Sequence, residues 1–444
     1  MLIILLLLAI AFIVVSTTKL KLHPFLALII AAIAFGLCSG VKLDAIIKSV
    51  NNGFGNTVGS VGIVIVIGCI IGAFLEESGG AYVMARSLLR VTGEKHVPFA
   101  MLILGYFISI PVYADSGFVI LTPLNRALTK KAGLSLASTA CALGIGLTLT
   151  HCLVPPTPGP IAAAGEMGAD LGLVILTGVM ASIPAILVAW LFVTRWASRI
   201  HIDPNPQEDE AAINAKMASA PSAAKSFIPV IVPLVLIVLK SVSAFPTAPF
   251  GDGAFATVIG FIGEPVVALL LGMFIAFTLP KKFDTEMLST TGWVGKALGE
   301  AAKIIMITAA GGAFGMILRD AGIANVLGDA LKDFNLGIWL PFIIAASLKT
   351  AQGSSTVAII TTAAIISPMM DVLGFVSPME KALAVSALCS GAMVVSHVND
   401  SFFWVETQMS DMTIKTGYKL HTLGTLICGL TSMITVWFVY TVFC

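Results

Sequence analysis

A proline-rich break inside an apolar run constrains this chain more than any other stretch. Residues 148–160 carry Thr148, Thr150 and His151, then Pro155, Pro156, Thr157, Pro158, Gly159 and Pro160, with apolar residues leading in and out. Proline removes a backbone donor and stops a helix, and in lipid the carbonyls left free find no water. The break must therefore be enclosed by protein or line a wet cavity, the mark of a transport site rather than of a passive anchor. Composition supplies the lipid: 57% of the 444 residues are hydrophobic and 11% are charged, against roughly 25% charged in a soluble domain. An all-α polytopic membrane protein is expected. The net charge of +1 carries no nucleic-acid signature, and the seven cysteines, mostly inside apolar runs, show no disulfide or zinc spacing.

Apolar runs fall near 2–15, 22–39, 58–75, 98–125, 134–163, 171–195, 226–242, 258–279, 301–318, 338–368, 380–408 and 420–443; one span needs about 20 residues. Run 98–125 is interrupted from Ala114 to Gly117, and run 338–368 from Lys349 to Thr356. Each is too long for one span and short for two. Both are read as re-entrant hairpins with polar tips, at about 98–128 and 337–370, and the following runs as broken helices at about 134–169 and 380–413. The polar segment 197–225, with Pro204, Pro206 and the acidic Glu208, Asp209 and Glu210, is a cytoplasmic linker between two units, 1–196 and 226–444. The first run has no basic residue before it and is followed by Lys19 and Lys21, so it is read as an uncleaved span. Both termini are then outside, and 18 of the 25 Lys and Arg residues fall inside, as the positive-inside rule demands. Two full spans in place of either hairpin would sort the charges equally well.

The two units repeat. Gly68, Gly72, Leu75, Glu77, Gly79 and Ala81 match Gly311, Gly315, Leu318, Asp320, Gly322 and Ala324 at a constant offset of 243, and Thr150 and His151 match Ser396 and His397 at 246. Five full spans per unit, one of them the broken helix, plus one re-entrant hairpin make the second unit run the other way, giving two inverted-topology repeats. The glycines read as close-packing positions.

Four interruptions are expected to meet: Asp115, Ser116 and Gly117; His151 with Thr157, Pro158 and Gly159; Gln352, Gly353, Ser354, Ser355 and Thr356; and His397 with Asn399, Asp400 and Ser401. A helix start offers free N–H groups and about half a positive charge, so several starts around one cavity suit a small carboxylate. Asp115 and Asp400 each need a cation, a proton or a partner inside a membrane; capping a helix is the alternative role for either. His151 and His397, placed at the ends of the first half-helices, are candidates for proton exchange or for plain hydrogen bonding to carbonyls. Tyr113 is set to bond a substrate hydroxyl or only to pack. Lys349 either neutralises substrate charge or snorkels to the outer surface. Glu264 and Pro265 are taken as an interfacial start to run 258–279. No residues show metal-ligand spacing, and no cofactor is expected.

His23 to Leu28, His151 to Pro160, Gly353 to Ala358 and Ser396 to Ser401 resemble the gluconate permease family, and the resemblance runs from about residue 20 to the C-terminus. It implies the inverted-repeat fold of the wider ion-transporter superfamily, proton-coupled uptake of sugar acids or similar hydroxy acids across a bacterial-type inner membrane, and a homodimer with a scaffold and a moving part. The chain departs from the gluconate branch at Phe402, where that branch has glycine, at Ser355, where it has alanine, and at Ser116, where it has an apolar residue. A bulky Phe402 and two added hydroxyls reshape the pocket and admit a smaller acid such as glycerate.

The expected function is import of a small hydroxy-acid or sugar-acid anion with protons by alternating access. Asp115, His151, His397 and Asp400 are the proton candidates, and sodium is the alternative coupling ion. From other classes, a channel is the alternative against which the inverted repeat argues for alternating access, and an intramembrane enzyme lacks a nucleophile paired with a base.

Overall fold

The computed structural model describes residues 2–84, 87, 96–110, 112–204, 220–243, 250–251, 253–323, 326, 336–398 and 400–444. Among these the chain is helical, without strands. It opens with α1 (Leu2–Thr18) and α2 (Pro24–Ser39), followed by the 35-residue α3 (Leu43–Glu77). α2 shows how local chemistry sets an end. His23 caps it by accepting from the Phe25 N–H, Pro24 takes the first turn where no donor is needed, and Gly40 at φ 84° ends it in a left-handed turn.

A pair of short helices comes next, α4 (Val97–Ile108) and α5 (Ala114–Lys131), then the broken α6 (Leu136–Leu153) and α7 (Pro158–Glu166), and then α8 (Leu171–Arg195). Beyond the linker the order recurs. α9 (Ala223–Ser243), α10 (Ala254–Ile262) and α11 (Pro265–Ala276) lead to α12 (Trp293–Asp320). The short pair α13 (Trp339–Gln352) and α14 (Ser355–Ile366) follows, then the broken α15 (Pro378–Gly391) and α16 (Ser401–Met409). α17 (Ile414–Phe443) closes the chain and includes one π turn at Tyr418–Thr422.

Five helical stretches among the described residues are long and apolar enough to cross a membrane, and counting two bent pairs as spans brings the number to seven. α1 and α2, at 17 and 16 residues, are shorter than that.

Several boundaries differ from the sequence reading. The run expected at 58–75 is part of the longer α3, whose polar first half, with Asn51, Asn52 and Gly53, packs against α12. There Gly53 and Gly312 bring the two backbones so close that a Cβ on either would overlap the other helix. Glu264 and Pro265 do not open a run. They sit at a 67° bend between α10 and α11, where the Glu264 carboxylate accepts from Lys240 Nζ at 2.5 Å. The linker is described only at its two flanks, since residues 205–219 lie outside the described residues.

Small residues set the helix contacts that carry the site. Gly105 of α4 and Gly146 of α6 let these helices touch backbone to backbone, and Gly391 of α15 does the same against Phe342 of α13. The second helix of each short pair then reaches across to the other half. α14 packs on α7, where Gly159 faces the Ile359 side chain, and α5 packs on α16, where the Phe118 and Phe402 rings lie 5.9 Å apart.

Candidate functional site

These crossings gather the interrupted segments. Between α6 and α7 the backbone turns through Val154 to Thr157, with a cis Pro155–Pro156 peptide bond, and Thr157 Oγ1 donates to the Val154 carbonyl at 2.7 Å. Between α13 and α14 the turn is made by Gly353 at φ 88°, a conformation other residues rarely adopt, and the Ser354 side chain caps α14 at Val357 N. Between α15 and α16 the chain turns at 392–395 and then runs on to Asp400, which caps α16 by accepting from the Phe402 N–H at 3.1 Å.

The first short pair breaks earlier than the sequence suggested. α5 starts at Ala114, so Asp115 and Ser116 belong to its first turn instead of a loop. The N-cap is Tyr113, with no side-chain bond to the helix. Gly117, one step on, faces the Leu147 side chain of α6 and is a packing position. The helix expected to start at Ser401 has Asp400 as its cap, and the same carboxylate also has a cationic partner in Lys349.

A cavity of about 450 Å³ ends on this region. Asp115, Ser116 and Tyr113 form one wall; Cys69, Gly72, Glu76 and Glu77 of α3 and Lys296 and Glu300 of α12 form the others. Its charge is lopsided: four carboxylates face one ammonium, and Lys296 is bound to Glu77 at 2.8 Å. A smaller cavity of about 20 Å³ shares Cys69, Val112 and Tyr113 with the first and adds Gly68, His151, Pro156, Thr157 and Pro158. Gly68 and Gly72 thus line space, whereas Gly311 and Gly315 pack against α14.

Tyr113 joins the two cavities. Its hydroxyl bonds Cys69 Sγ at 3.0 Å, and its ring centre lies 6.4 Å from that of His151. His151 makes a long contact of 3.4 Å from Nε2 to Thr356 Oγ1, while its buried Nδ1 has no partner among the described residues. His397 does not end a half-helix as expected, because α15 stops six residues earlier; its Nε2 donates to the Thr350 carbonyl at 2.9 Å. Asn399 lies outside the described residues, as does the side chain of Gln352.

Lys349 does not snorkel. It is completely buried, and its ammonium binds Asp400 Oδ2 at 2.5 Å and the Gly353 carbonyl. One contact thus ties the turn between α13 and α14 to the break before α16. Asp115 and His151 both lie within electrostatic reach of this pair. Glu406 and His421 escaped the sequence reading, and Ser396 entered it only as a repeat and motif position; the three continue a chain of hydrogen bonds from Asp400 into the protein interior. A signal was present, since a carboxylate inside an apolar run is by default a functional candidate. Among the described residues no group of three His, Cys, Asp or Glu side chains has metal-binding geometry.

An apolar helical bundle whose broken helices and hairpin-like turns close on an internal cavity defines a multi-pass membrane transporter. The chain belongs to the GntP permease family, which it matches as a GntP family permease over residues 1–442. It is 34% identical over 417 residues to a gluconate permease of Pseudomonas aeruginosa, covering 92% of this chain and 91% of that one. It is 32% identical over 418 residues to the high-affinity gluconate transporter of Escherichia coli, with 93% and 94% covered. The D-serine transporter DsdX of Escherichia coli is 30% identical over 431 residues, with 96% of each chain covered. Among solved structures, that of the YdaH transporter of Alcanivorax borkumensis superposes with a TM-score of 0.63 at 16% identity, covering 95% of this chain and 99% of that one.

Proposed function

We propose that this permease imports a small hydroxy-acid anion together with protons across a bacterial cytoplasmic membrane, by alternating access between two inverted repeats. The observation that carries this is the Lys349–Asp400 pair, buried where the turn of one helix pair meets the break of another, next to a cavity floored by Asp115 and Ser116. A substrate carboxylate in this region meets the starts of α5, α7, α14 and α16, each with free N–H groups. Lys349 is the buried cation of this region, whereas Lys296, paired with Glu77, lines the cavity itself. Tyr113, Ser116, Ser355, Thr356 and Thr157 offer hydroxyls to a hydroxy acid, and the unpartnered His151 Nδ1 offers one more polar contact.

The excess of carboxylates on the cavity wall argues that an anion does not pass this mouth alone. A proton taken up with the substrate offsets the anion's charge on entry. The recurrence of a helix pair and a broken helix in each half, with α5 and α14 exchanged across the halves, supports inverted repeats in which one half-turned unit mirrors the other. The N- and C-termini lie outside in this reading, the linker inside, and two copies form a dimer.

A second reading draws on the same acidic wall. A small hydroxy amino acid carries its own ammonium, which Asp115, Glu76 or Glu300 would welcome, while its carboxylate meets Lys349 and the helix starts. A thermal-stability screen of the purified protein with D-gluconate, D-glycerate and D-serine separates the two, because a ligand at 100 times its Kd adds about 2.7 kcal/mol. Stabilisation by D-serine alone would sink the hydroxy-acid reading. Uptake into proteoliposomes with sodium replaced by choline, under an inward proton gradient, tests the coupling ion. Undiminished accumulation supports protons, and loss of uptake supports sodium.

A further inference from the structure

Behind the Lys349–Asp400 pair lies a second pair of titratable groups that the transport reading has not used. Glu406 of α16 and His421 of the π turn in α17 are both completely buried, with His421 Nδ1 2.7 Å from Glu406 Oε2. The other imidazole nitrogen, Nε2, lies 2.8 Å from Ser396 Oγ, and Ser396 Oγ in turn bonds Asp400 Oδ2. The rings of Phe402 and Phe403 stand against the imidazole at 5.5 and 5.9 Å. On the remaining side Gly144 of α6 faces the Glu406 carboxylate so closely that a Cβ there would overlap it, with Cys141 of the same helix within electrostatic reach. Glu406 Oε1 has no partner among the described residues.

The hydrogen bonds fix where the protons are. Asp400 Oδ2 is held by the Lys349 ammonium and accepts, so the Ser396 hydroxyl donates to it. The serine oxygen is then left to accept, and His421 Nε2–H donates to it. His421 Nδ1 therefore faces Glu406 Oε2 across 2.7 Å with at most one proton between them, and two lone pairs at that distance would repel. The pair holds one proton, either as imidazolium with carboxylate or as imidazole with carboxylic acid, and its net charge is zero both ways.

We propose that Glu406 and His421 together store the proton that travels with the substrate and deliver it to Asp400 through Ser396; this rests on the proton-coupled reading above. When Lys349 leaves Asp400 for a substrate carboxylate, Asp400 loses its neutralising cation. The Ser396 hydroxyl proton moves to Asp400 Oδ2, the His421 Nε2 proton moves to Ser396 Oγ, and the shared proton settles on His421 Nδ1. Asp400 ends as a neutral acid, His421 as a neutral imidazole and Glu406 as a carboxylate, so one proton has moved and the total charge is unchanged. Arrival of the substrate carboxylate at Lys349 and arrival of the stored proton at Asp400 are thereby linked.

Two measurements test this. In protein labelled with ¹⁵N-histidine, His421 is assigned among the six histidines by the signal lost in His421→Gln. At neutral pH the expected result is either an imidazolium at His421 or a protonated-carboxyl infrared band that disappears in Glu406→Gln. A neutral imidazole with no such band overturns the proposal; if both variants fail to fold, wild-type protein in which all six histidines are neutral and no protonated-carboxyl band appears overturns it without any assignment. In proteoliposomes with D-gluconate as probe, a one-unit inward pH gradient should drive about tenfold accumulation for one proton per monoanion. Glu406→Gln should abolish that accumulation while keeping exchange of labelled for unlabelled D-gluconate across equal pH. Accumulation in Glu406→Gln equal to wild type overturns this proposal alone. Wild-type protein that exchanges D-gluconate but does not accumulate it under the gradient counts against the proton-coupled reading beneath it, and against the carrier role with it.

Discussion

Lys349 shows how one side chain decides the electrostatics of a site. A completely buried ammonium in an apolar bundle is tolerated here because Asp400 and the Gly353 carbonyl surround it. Removing one member of such a pair strands the other, at a cost of about 3–5 kcal/mol. Lys349→Met is therefore expected to lower thermal stability sharply and to abolish transport. Lys349→Met combined with Asp400→Asn should recover much of the stability and none of the transport; a double variant as unstable as the single one would show that the pair does not act as a unit. Gly144 marks a second position of this kind. Gly144→Ala would press a methyl group into the Glu406 carboxylate, and overpacking of this sort costs about 1–3 kcal/mol. Its melting curve should shift down, whereas Gly299→Ala, where a Cβ meets open space, should not destabilise the protein.

Elements are joined by small residues rather than by long apolar stripes. α4 lies on α6 through Gly105 and Gly146, and α15 lies on α13 through Gly391. Lipid supplies no hydrophobic push between helices, so close backbone approach is what holds them. Gly146→Leu is expected to separate α4 from α6, leaving little monodisperse protein on size-exclusion chromatography. Good yield and an unchanged melting curve would argue that this crossing is not needed. The exchange of α5 and α14 between halves has a functional side. It places Asp115 near a pair made by Lys349 and Asp400, two residues far away in sequence, and it seats Phe118 against Phe402, the residue at which the chain departs from the gluconate branch. Phe402→Gly would open space beside Phe118 and His421. It should shift preference towards larger sugar acids, read as the ratio of D-gluconate to D-glycerate needed for half-maximal thermal protection.

At the scale of the whole molecule two cavities lie at different places. One reaches Asp115 past Glu300, and the other, of about 250 Å³, is lined by Ala169, Asp170, Lys240 and Glu264. The inverted reading puts them on opposite sides of the membrane. In a background where the exposed Cys38 and Cys444 are changed to serine, Glu300→Cys should react with an impermeant maleimide only from the cytoplasmic side. Ala169→Cys should react only from outside. Labelling of both from one side would rule out the inverted arrangement.

The apolar composition and the proline block by themselves determined a helical membrane protein with broken helices, because lipid leaves few ways to satisfy a backbone and proline removes one of them. The polar interruptions also bracketed the second turn, within 349–356, and the break ending at Asp400. Boundaries slipped where polarity and helix breaking part company: Asp115 and Ser116 look like a loop in one dimension, yet a helix start accepts them in its first turn. The partners of the charged residues were decided by tertiary structure alone. Nothing local distinguishes a lysine that snorkels from one that meets Asp400, or joins Glu406 in α16 to His421 in α17, since these contacts exist only once separate helices have packed and water has been excluded between them.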